Sequence, residues 1–495
     1  DSSKIKLLRT ACKQIVCFCR PCARSMMDRR GAAHHRSRFL FFPQIILMPQ
    51  TSSRSAWTSR LGFILASAGS AVGLGAIWKF PYMAGTNGGS IFMLPTIAFS
   101  LTIGLALLIA EMSMGRAARG GAGTAYLKLG GRAWSVIGFI SVATGALVLA
   151  FYSVVGGWCT HYFIESIMGR GITDDPAAMR SAFEAFAADP VQSVMGHVIF
   201  LTTTAGVVLC GVERGIERVG KILMPLLFIL MLILIVRGLM LPGAIEGVKF
   251  LFMPDPEAFT GEALLNAMGF AFFSLSVGSG SMMNYGSYLS DKVNVGTSTA
   301  WIVVLAVMSS ILGGLMIMPA VFAFGLTPDA GPGLTFATMP AVFSHLPMGG
   351  LFAVAFYGCL FVAALTSAIS ILEMVSQHCV DRWGFTRRTA VLTVSTVLGI
   401  IGVFCALSFG PLSDWKLFGR TLFDLLDYAT SNIGMPIGCV GIGLVAAWVA
   451  WPTIRKQLEM NAKWSAAGLK AFRILAGGAA PILILIVAAK GAGLF

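Results

Sequence analysis

The chain has 495 residues, of which 56% are hydrophobic and only 12% charged. A soluble domain carries about 25% charged residues, so this composition excludes one and points to a chain that crosses a bilayer many times. The net charge of +14 is no nucleic-acid signal, because residues 1–47 alone hold ten Lys/Arg against two Asp and the other basic residues fall between apolar segments.

Residues 1–47 come first, and they read as a non-native or disordered leader. Cys12, Cys17, Cys19 and Cys22 match no standard zinc spacing. Phe39-Leu40-Phe41-Phe42 is too short for the apolar region of a signal peptide. Composition changes at Met48-Pro49-Gln50-Thr51, where the working protein is expected to start. The other six cysteines (Cys159, Cys210, Cys359, Cys379, Cys405 and Cys439) are scattered through apolar segments as small core residues, with no disulfide framework.

Apolar runs follow at about 61–83, 90–115, 134–167, 194–211, 219–240, 262–289, 298–324, 349–380, 389–408, 420–450 and 470–489, each reaching the ~20 residues a crossing needs. The reading is an all-α polytopic membrane protein with eleven spans. Pro225, Pro319 and Pro436 fall inside spans and are expected to bend them. The 168–193 connection is acidic and reads as a solvated loop; 325–348 is rich in Pro and Gly and is expected to dip between helices. With the N-terminus in the cytoplasm, 18 basic residues outside the leader fall inside and eight outside, which fixes the orientation. Eleven crossings then leave the C-terminus outside.

The first span carries Gly69, Gly73, Gly75 and Pro81, so it is expected to break near mid-membrane. Such a break frees amides and carbonyls, and irregular backbone survives there only if it is buried in protein or lines a cavity. In the sixth span Ser276-Val277-Gly278-Ser279-Gly280 repeats the spacing of Val72-Gly73-Leu74-Gly75, 205 positions later. Paired glycine-interrupted spans in matching halves point to the binding site of an inverted-repeat secondary transporter; two ordinary packing faces are the plainer alternative.

Polar residues inside spans are costly and need a reason. Glu111, at the end of the second span, is expected to snorkel or to pair with a loop arginine. Tyr152 in the third span is either an interhelix hydrogen bond or a donor to a ligand carboxylate. Thr366-Ser367 in the eighth either glue helices or, beside free carbonyls, make an oxygen cage for a hard cation. The histidines (His34, His35, His161, His197, His345 and His378) show no metal-ligand spacing within a span, so an enzyme is not expected.

With Arg60-Leu61-Gly62-Phe63, Gly69 to Tyr82, Asn87-Gly88-Gly89, Phe272 to Tyr288 and Phe423-Asp424-Leu425-Leu426-Asp427 in view, the chain from about Trp57 onward resembles the neurotransmitter:sodium symporter family, in its prokaryotic eleven-helix branch. The resemblance implies a leucine-transporter-like fold of 5+5 inverted repeats with helices 1 and 6 unwound at the midplane. The repeats would span 48–240 and 241–450, with helix 11 at 451–495. It further implies a sodium ion held by backbone oxygens of Gly69, Val72 and Ala363 and hydroxyls of Thr366 and Ser367. The implied substrate pocket comprises Ala71, Leu74, Gly75, Val148, Tyr152, Phe273, Ser276, Ser279, Ser367 and Ile371. Amides at Leu74 and Gly75 and the Tyr152 hydroxyl would take a carboxylate, helped by a half-helix dipole. Lys79 and Asp427 would form an outer gate. Arg54 and Asp381 would form an inner one, supported by Trp57 and Tyr288.

Monoamine members of the family have Asp where this chain has Gly73, so the resemblance implies an amino-acid substrate, hydrophobic or aromatic in class, with Ser279 leaving room for a larger side chain. The family's second sodium site departs from pattern, because Ala76 and Leu305 stand where asparagines supply amide oxygens. Its chloride positions depart as well, at Thr96, Phe270 and Leu305, leaving Ser274 and Ser309. The expectation is a sodium-coupled amino-acid importer of the inner membrane, working by alternating access with one sodium and no chloride. A transporter-like sensor, a non-transporting homologue and a small-amine symporter are the other readings. The bilayer and a small-molecule substrate are the expected partners, with no nucleic acid.

Overall fold

In hydrocarbon the backbone must satisfy its own hydrogen bonds, so apolar runs of this length become helices. The computed structural model describes residues 56–170, 175–325, 335–336 and 339–491. Residues 1–47 with Cys12, Cys17, Cys19 and Cys22, and Arg54, lie outside the described residues. Within them regular structure is helical, apart from one isolated bridge between Leu417 and Arg420.

The first segment is two helices, α1 (Arg60–Ala71) and α2 (Gly75–Thr86), bent by 48° at their junction. Next come α3 (Ser90–Ala118), α4 (Arg132–Ile167), α5 (Pro190–Leu209) and α6 (Val212–Leu239). The sixth apolar segment is also divided, into α7 (Gly261–Ser274) and α8 (Ser281–Ser287). The chain continues through α9 (Val295–Ala323), α10 (Gly349–Trp383), α11 (Arg387–Leu407), α12 (Leu422–Val449) and α13 (Ala466–Gly491). Among the described residues nine helices are long and apolar enough to cross a membrane, and the bent α1–α2 pair makes a tenth. The expected eleventh is the divided α7–α8 segment, neither half of which reaches crossing length alone. α6 begins earlier than expected because Glu213, Arg214 and Glu217 interrupt the hydrophobic run, although the backbone there already winds as one π-helical turn, Val212–Glu217.

The connections hold more structure than their composition implied. In the acidic stretch 168–193, Asp175 accepts from the Ala177 amide at 2.9 Å and caps a helix, Pro176–Ala188. Asp189 caps α5, accepting from the amides of Val191 and Gln192 at 2.8 and 2.9 Å. Both carboxylates act as helix caps beside a proline at the first helical position, not as solvated loop charges. Among the described residues of the 325–348 connection, Phe336 is buried, with its ring among those of Trp78, Trp158, Tyr162, Phe183 and Tyr357.

Helices in lipid gain little from burying apolar surface against one another, so close backbone approach at small residues carries much of their association. α3 and α8 meet in this way. A Cβ on Gly115 would overlap the Met283 carbonyl, and one on Gly286 the Met112 carbonyl. α12 meets the α7–α8 junction at Gly438, where a Cβ would overlap the Gly278 carbonyl oxygen. Gly115→Ala should therefore lower stability by about 1–3 kcal/mol, the usual cost of overpacking. Gly206→Ala, where a Cβ meets nothing within 4 Å, should not. Thermal unfolding of the two purified variants in detergent checks the contrast.

Candidate functional site

The two helix breaks face each other. α1 ends at Ala71, and Val72 leaves helical geometry at φ −88°, ψ 58° while its amide still reaches the Ala68 carbonyl at 2.6 Å. Between α7 and α8 three residues take left-handed backbone: Ser276 (φ 54°), Gly278 (φ 90°) and Gly280 (φ 86°). For a serine this conformation is uncommon and costs on the order of 1 kcal/mol, so its surroundings must hold it. They do: the Ser276 hydroxyl donates to the Ser70 carbonyl at 3.1 Å, and its amide to the Phe273 carbonyl at 3.0 Å. The Ser279 hydroxyl donates to the Ser276 carbonyl at 3.0 Å and accepts from the Ser281 amide at 3.4 Å, so it is bound within the break itself.

Glu111 corrects the sequence reading. It neither snorkels nor pairs with an arginine. It is fully buried, and its carboxylate accepts from the Gly278 and Met283 amides at 3.2 Å each. The break leaves α8 with amide donors that no preceding turn can satisfy, and a carboxylate is the strongest acceptor available for them.

A set of neutral oxygens gathers where α1 meets α10. The Ser367 hydroxyl lies 3.1 Å from the Ser70 carbonyl and 3.3 Å from that of Gly69. The Thr366 hydroxyl reaches the Val362 and Ala363 carbonyls at 3.1 Å each. Gly69 allows this approach, since a Cβ there would sit 3.1 Å from Thr366 Cβ. Val72 is buried at the same junction. These oxygens carry no formal charge and suit a hard monovalent cation.

Beside them lies a space bounded by both breaks. The Leu74 amide donates to the Tyr152 hydroxyl at 3.3 Å. A Cβ on Gly73 would overlap the Ser367 hydroxyl and come within 3.2 Å of the Tyr152 oxygen. A Cβ on Gly75 would touch the Phe273 ring at 3.3 Å. Gly145 of α4 faces Ile371, the Ser279 carbonyl and Met374. Ala71 is buried on the last turn of α1, and Val148 is half-buried on α4 between Gly145 and Tyr152. A cavity of about 210 Å³ adjoins this space, lined by Lys79, Met83, Phe270, Phe273, Val277 and Met435 among others. Phe273 belongs to both.

Among the described residues no ion pair joins Lys79 to Asp427. The Lys79 ammonium instead lies 4.1 Å from the centre of the Phe273 ring, and Asp427 accepts from the Ser431 hydroxyl at 3.1 Å. At the opposite end the Trp57 indole donates to the Tyr285 carbonyl at 3.1 Å and packs edge-on against Tyr285 and Tyr288. Asp381 accepts from the Gln377 amide group at 2.7 Å.

Two buried carboxylates escaped sequence reasoning. Glu373 of α10 accepts from the Tyr288 hydroxyl at 2.7 Å and from Arg387 through both oxygens, at 3.1 and 2.5 Å. Glu217 of α6 accepts from the Thr58 amide at 2.8 Å and the Ser59 hydroxyl at 3.0 Å, and pairs with Lys221 at 2.7 Å. Glu217 thereby holds the residues just before α1 by hydrogen bonds, and the Glu373–Arg387 pair holds Tyr288 at the end of α8. An acid inside or at the edge of an apolar span is the signal that could have flagged them. Thr96, Ser100, Ser274 and Ser310 line one small cavity, while the neighbouring Ser309 hydroxyl donates to the Ala306 carbonyl of its own helix at 2.7 Å.

A helical membrane bundle with two facing helices broken at one level, and with oxygens and amides gathered between them, is the architecture of a secondary transporter. Comparison with known proteins specifies which. The family model for the sodium:neurotransmitter symporter family matches residues 54–171 and 190–489. An uncharacterized sodium-dependent transporter of Bacillus subtilis, YhdH, is 43% identical over 389 residues, covering 78% of this chain and 86% of the relative. The sodium- and chloride-dependent taurine transporter of Rattus norvegicus is 24% identical over 460 residues, covering 80% and 70%. The crystal structure of MhsT in complex with L-phenylalanine superposes with a TM-score of 0.82 at 37% identity, covering 88% of this chain and all of the other. The chain belongs to the sodium:neurotransmitter symporter family and is a sodium-coupled membrane transporter with the leucine-transporter-like fold.

Glu111→Gln keeps the shape but leaves one side-chain oxygen where the α8 amides now have two. An unmet buried donor costs about 1–3 kcal/mol. The variant should lose stability by that amount and transport by tenfold or more, read by thermal unfolding and by uptake into proteoliposomes.

Proposed function

We propose that the protein imports an amino acid with sodium by alternating access, and that the substrate's own carboxylate occupies the space beside Gly73. The observation that carries this is steric and chemical at once. Position 73 admits no side chain, while the Leu74 amide and the Tyr152 hydroxyl, both able to donate to a carboxylate, flank it. The similarity to MhsT, whose crystal structure contains L-phenylalanine, supports an amino acid of hydrophobic or aromatic class.

One sodium accompanies it, held by the carbonyls of Gly69, Val72 and Ala363 and the hydroxyls of Thr366 and Ser367. A second is not expected, because Ala76 and Leu305 offer no side-chain oxygen. Chloride is not required, since Phe270 and Thr96 replace better donors and the polar lining at that level is reduced to hydroxyls. Ala71, Leu74, Gly75, Val148, Phe273, Ser276, Ser279, Ser367 and Ile371 line the substrate site. Lys79 and Asp427 close it outward by coming together in a state other than the one described. Asp381 and Arg54, with Trp57 and Tyr288, close it inward. The two repeats are 48–240 and 241–450. The charge distribution supports a cytoplasmic N-terminus, an external C-terminus and residence in a bacterial inner membrane.

Uptake of a labelled amino-acid panel into proteoliposomes, with sodium replaced by choline or chloride by gluconate, tests the reading. Sodium-dependent, chloride-independent uptake with a Hill coefficient near one is expected. A coefficient near two overturns the single site, and chloride dependence overturns the anion assignment. Binding without uptake would make the protein a sensor. Thr366→Val should raise the half-saturating sodium concentration at least tenfold. Tyr152→Phe should raise KM for the amino acid while leaving sodium affinity nearly unchanged.

A further inference from the structure

A cleft of about 500 Å³ opens at the end of the bundle where α3, the α8–α9 connection and a short helix after α12 (Trp451–Glu459) meet. Three cations line it: Arg116 from α3, Arg119 just past its end, and Lys456 from the short helix. One carboxylate, Asp291, lines it too and is paired with Arg119. Glu459, nearby on the short helix, is taken up by Arg455 at 2.9 Å.

Arg116 is the informative member. It is 1% exposed, and its three hydrogen bonds go to neutral oxygens: the Gln457 side chain at 2.6 Å, the Gln457 carbonyl at 2.5 Å and the Val293 carbonyl at 2.7 Å. Among the described residues neither Arg116 nor Lys456 enters an ion pair. A buried charge is ordinarily paired, and an arginine held rigidly by neutral acceptors keeps its remaining N–H groups in a fixed fork suited to a tetrahedral anion. Trp451 opens the short helix next to Pro452 of the cleft, with the Arg473 guanidinium 5.4 Å from its ring centre and 4.5 Å from that of Trp448. Tryptophans gather at the interfacial level of a bilayer.

We propose that this cleft binds a phosphate-bearing anion, supplied by an anionic phospholipid headgroup or by free phosphate, and that the bound anion ties α3 to the α12–α13 connection. The charge count assigns the cleft to the cytoplasmic side.

The full-length protein in detergent, titrated with phosphatidylglycerol, phosphatidylethanolamine or inorganic phosphate and followed by thermal unfolding, tests this without requiring transport. Phosphatidylglycerol should raise the melting temperature saturably and phosphatidylethanolamine should not. If inorganic phosphate reproduces the effect, free phosphate is the source; if it does not, the lipid is. Arg119→Gln/Lys456→Gln, at exposed positions, should raise the half-maximal phosphatidylglycerol concentration at least fivefold, whereas Lys463→Gln/Lys470→Gln, outside the cleft, should not. Equal responses to the two lipids, or equal shifts in the two double variants, would overturn the proposal.

Discussion

A helix interrupted inside a membrane leaves polar backbone that water cannot reach, and this molecule is arranged around supplying partners for it. The carbonyl end of α1 is met by hydroxyls: Ser276 and Ser367 both donate to the Ser70 carbonyl. The amide end of α8 is met by a carboxylate, Glu111, from a neighbouring helix. The division follows from polarity, since exposed carbonyls need donors and exposed amides need acceptors. The same arrangement leaves a cluster of oxygens on one side and, on the other, the Leu74 amide with the Tyr152 hydroxyl as its acceptor at 3.3 Å. In the proposed reading a cation and a carboxylate thus find partners side by side at one pair of breaks.

Around this irregular centre the packing is close. Gly115, Gly286 and Gly438 bring backbone against backbone, so the carboxylate and the hydroxyls are held on elements with little freedom to shift. The longer-range ties are made by buried carboxylates near the ends of the broken helices. Glu217 holds the residues just before α1, while Glu373 and Arg387 hold Tyr288 at the end of α8. Each is a hydrogen-bonded pair with discrete geometry, the kind of contact that is either made or broken and does not stretch. The centre of the site is therefore rigidly packed, whereas the ends of its broken helices are fastened by contacts that can be exchanged.

Much of this was legible in the sequence because the governing constraints are local. Run length and hydropathy mark the helices, and the spacing of Gly73, Gly75, Gly278 and Gly280 marks both interruptions. The residues that face one another across the breaks followed only from family resemblance, since nothing local ties Ser367 to Gly69. What escaped was largely long-range. The partners of Glu111 lie in a distant span, and no local pattern indicates that a carboxylate near a helix end will turn inward to cap another helix. The acidic 168–193 stretch was read by charge alone, although Asp175-Pro176 and Asp189-Pro190 are both cap signals.

Ser367 has one further consequence. Its hydroxyl carries a single proton, which points toward carbonyls of α1 at 3.1 and 3.3 Å. A hydroxyl carries two lone pairs besides that proton, and the Ser70 carbonyl is not among the ligands proposed for sodium, so Ser367 can donate to Ser70 and turn a lone pair to the ion. Thr366 is placed alike, its proton on the Val362 carbonyl of its own helix. In the proposed site both hydroxyls are therefore oriented by hydrogen bonds that the ion does not have to break, which lowers the cost of organising the oxygens around it.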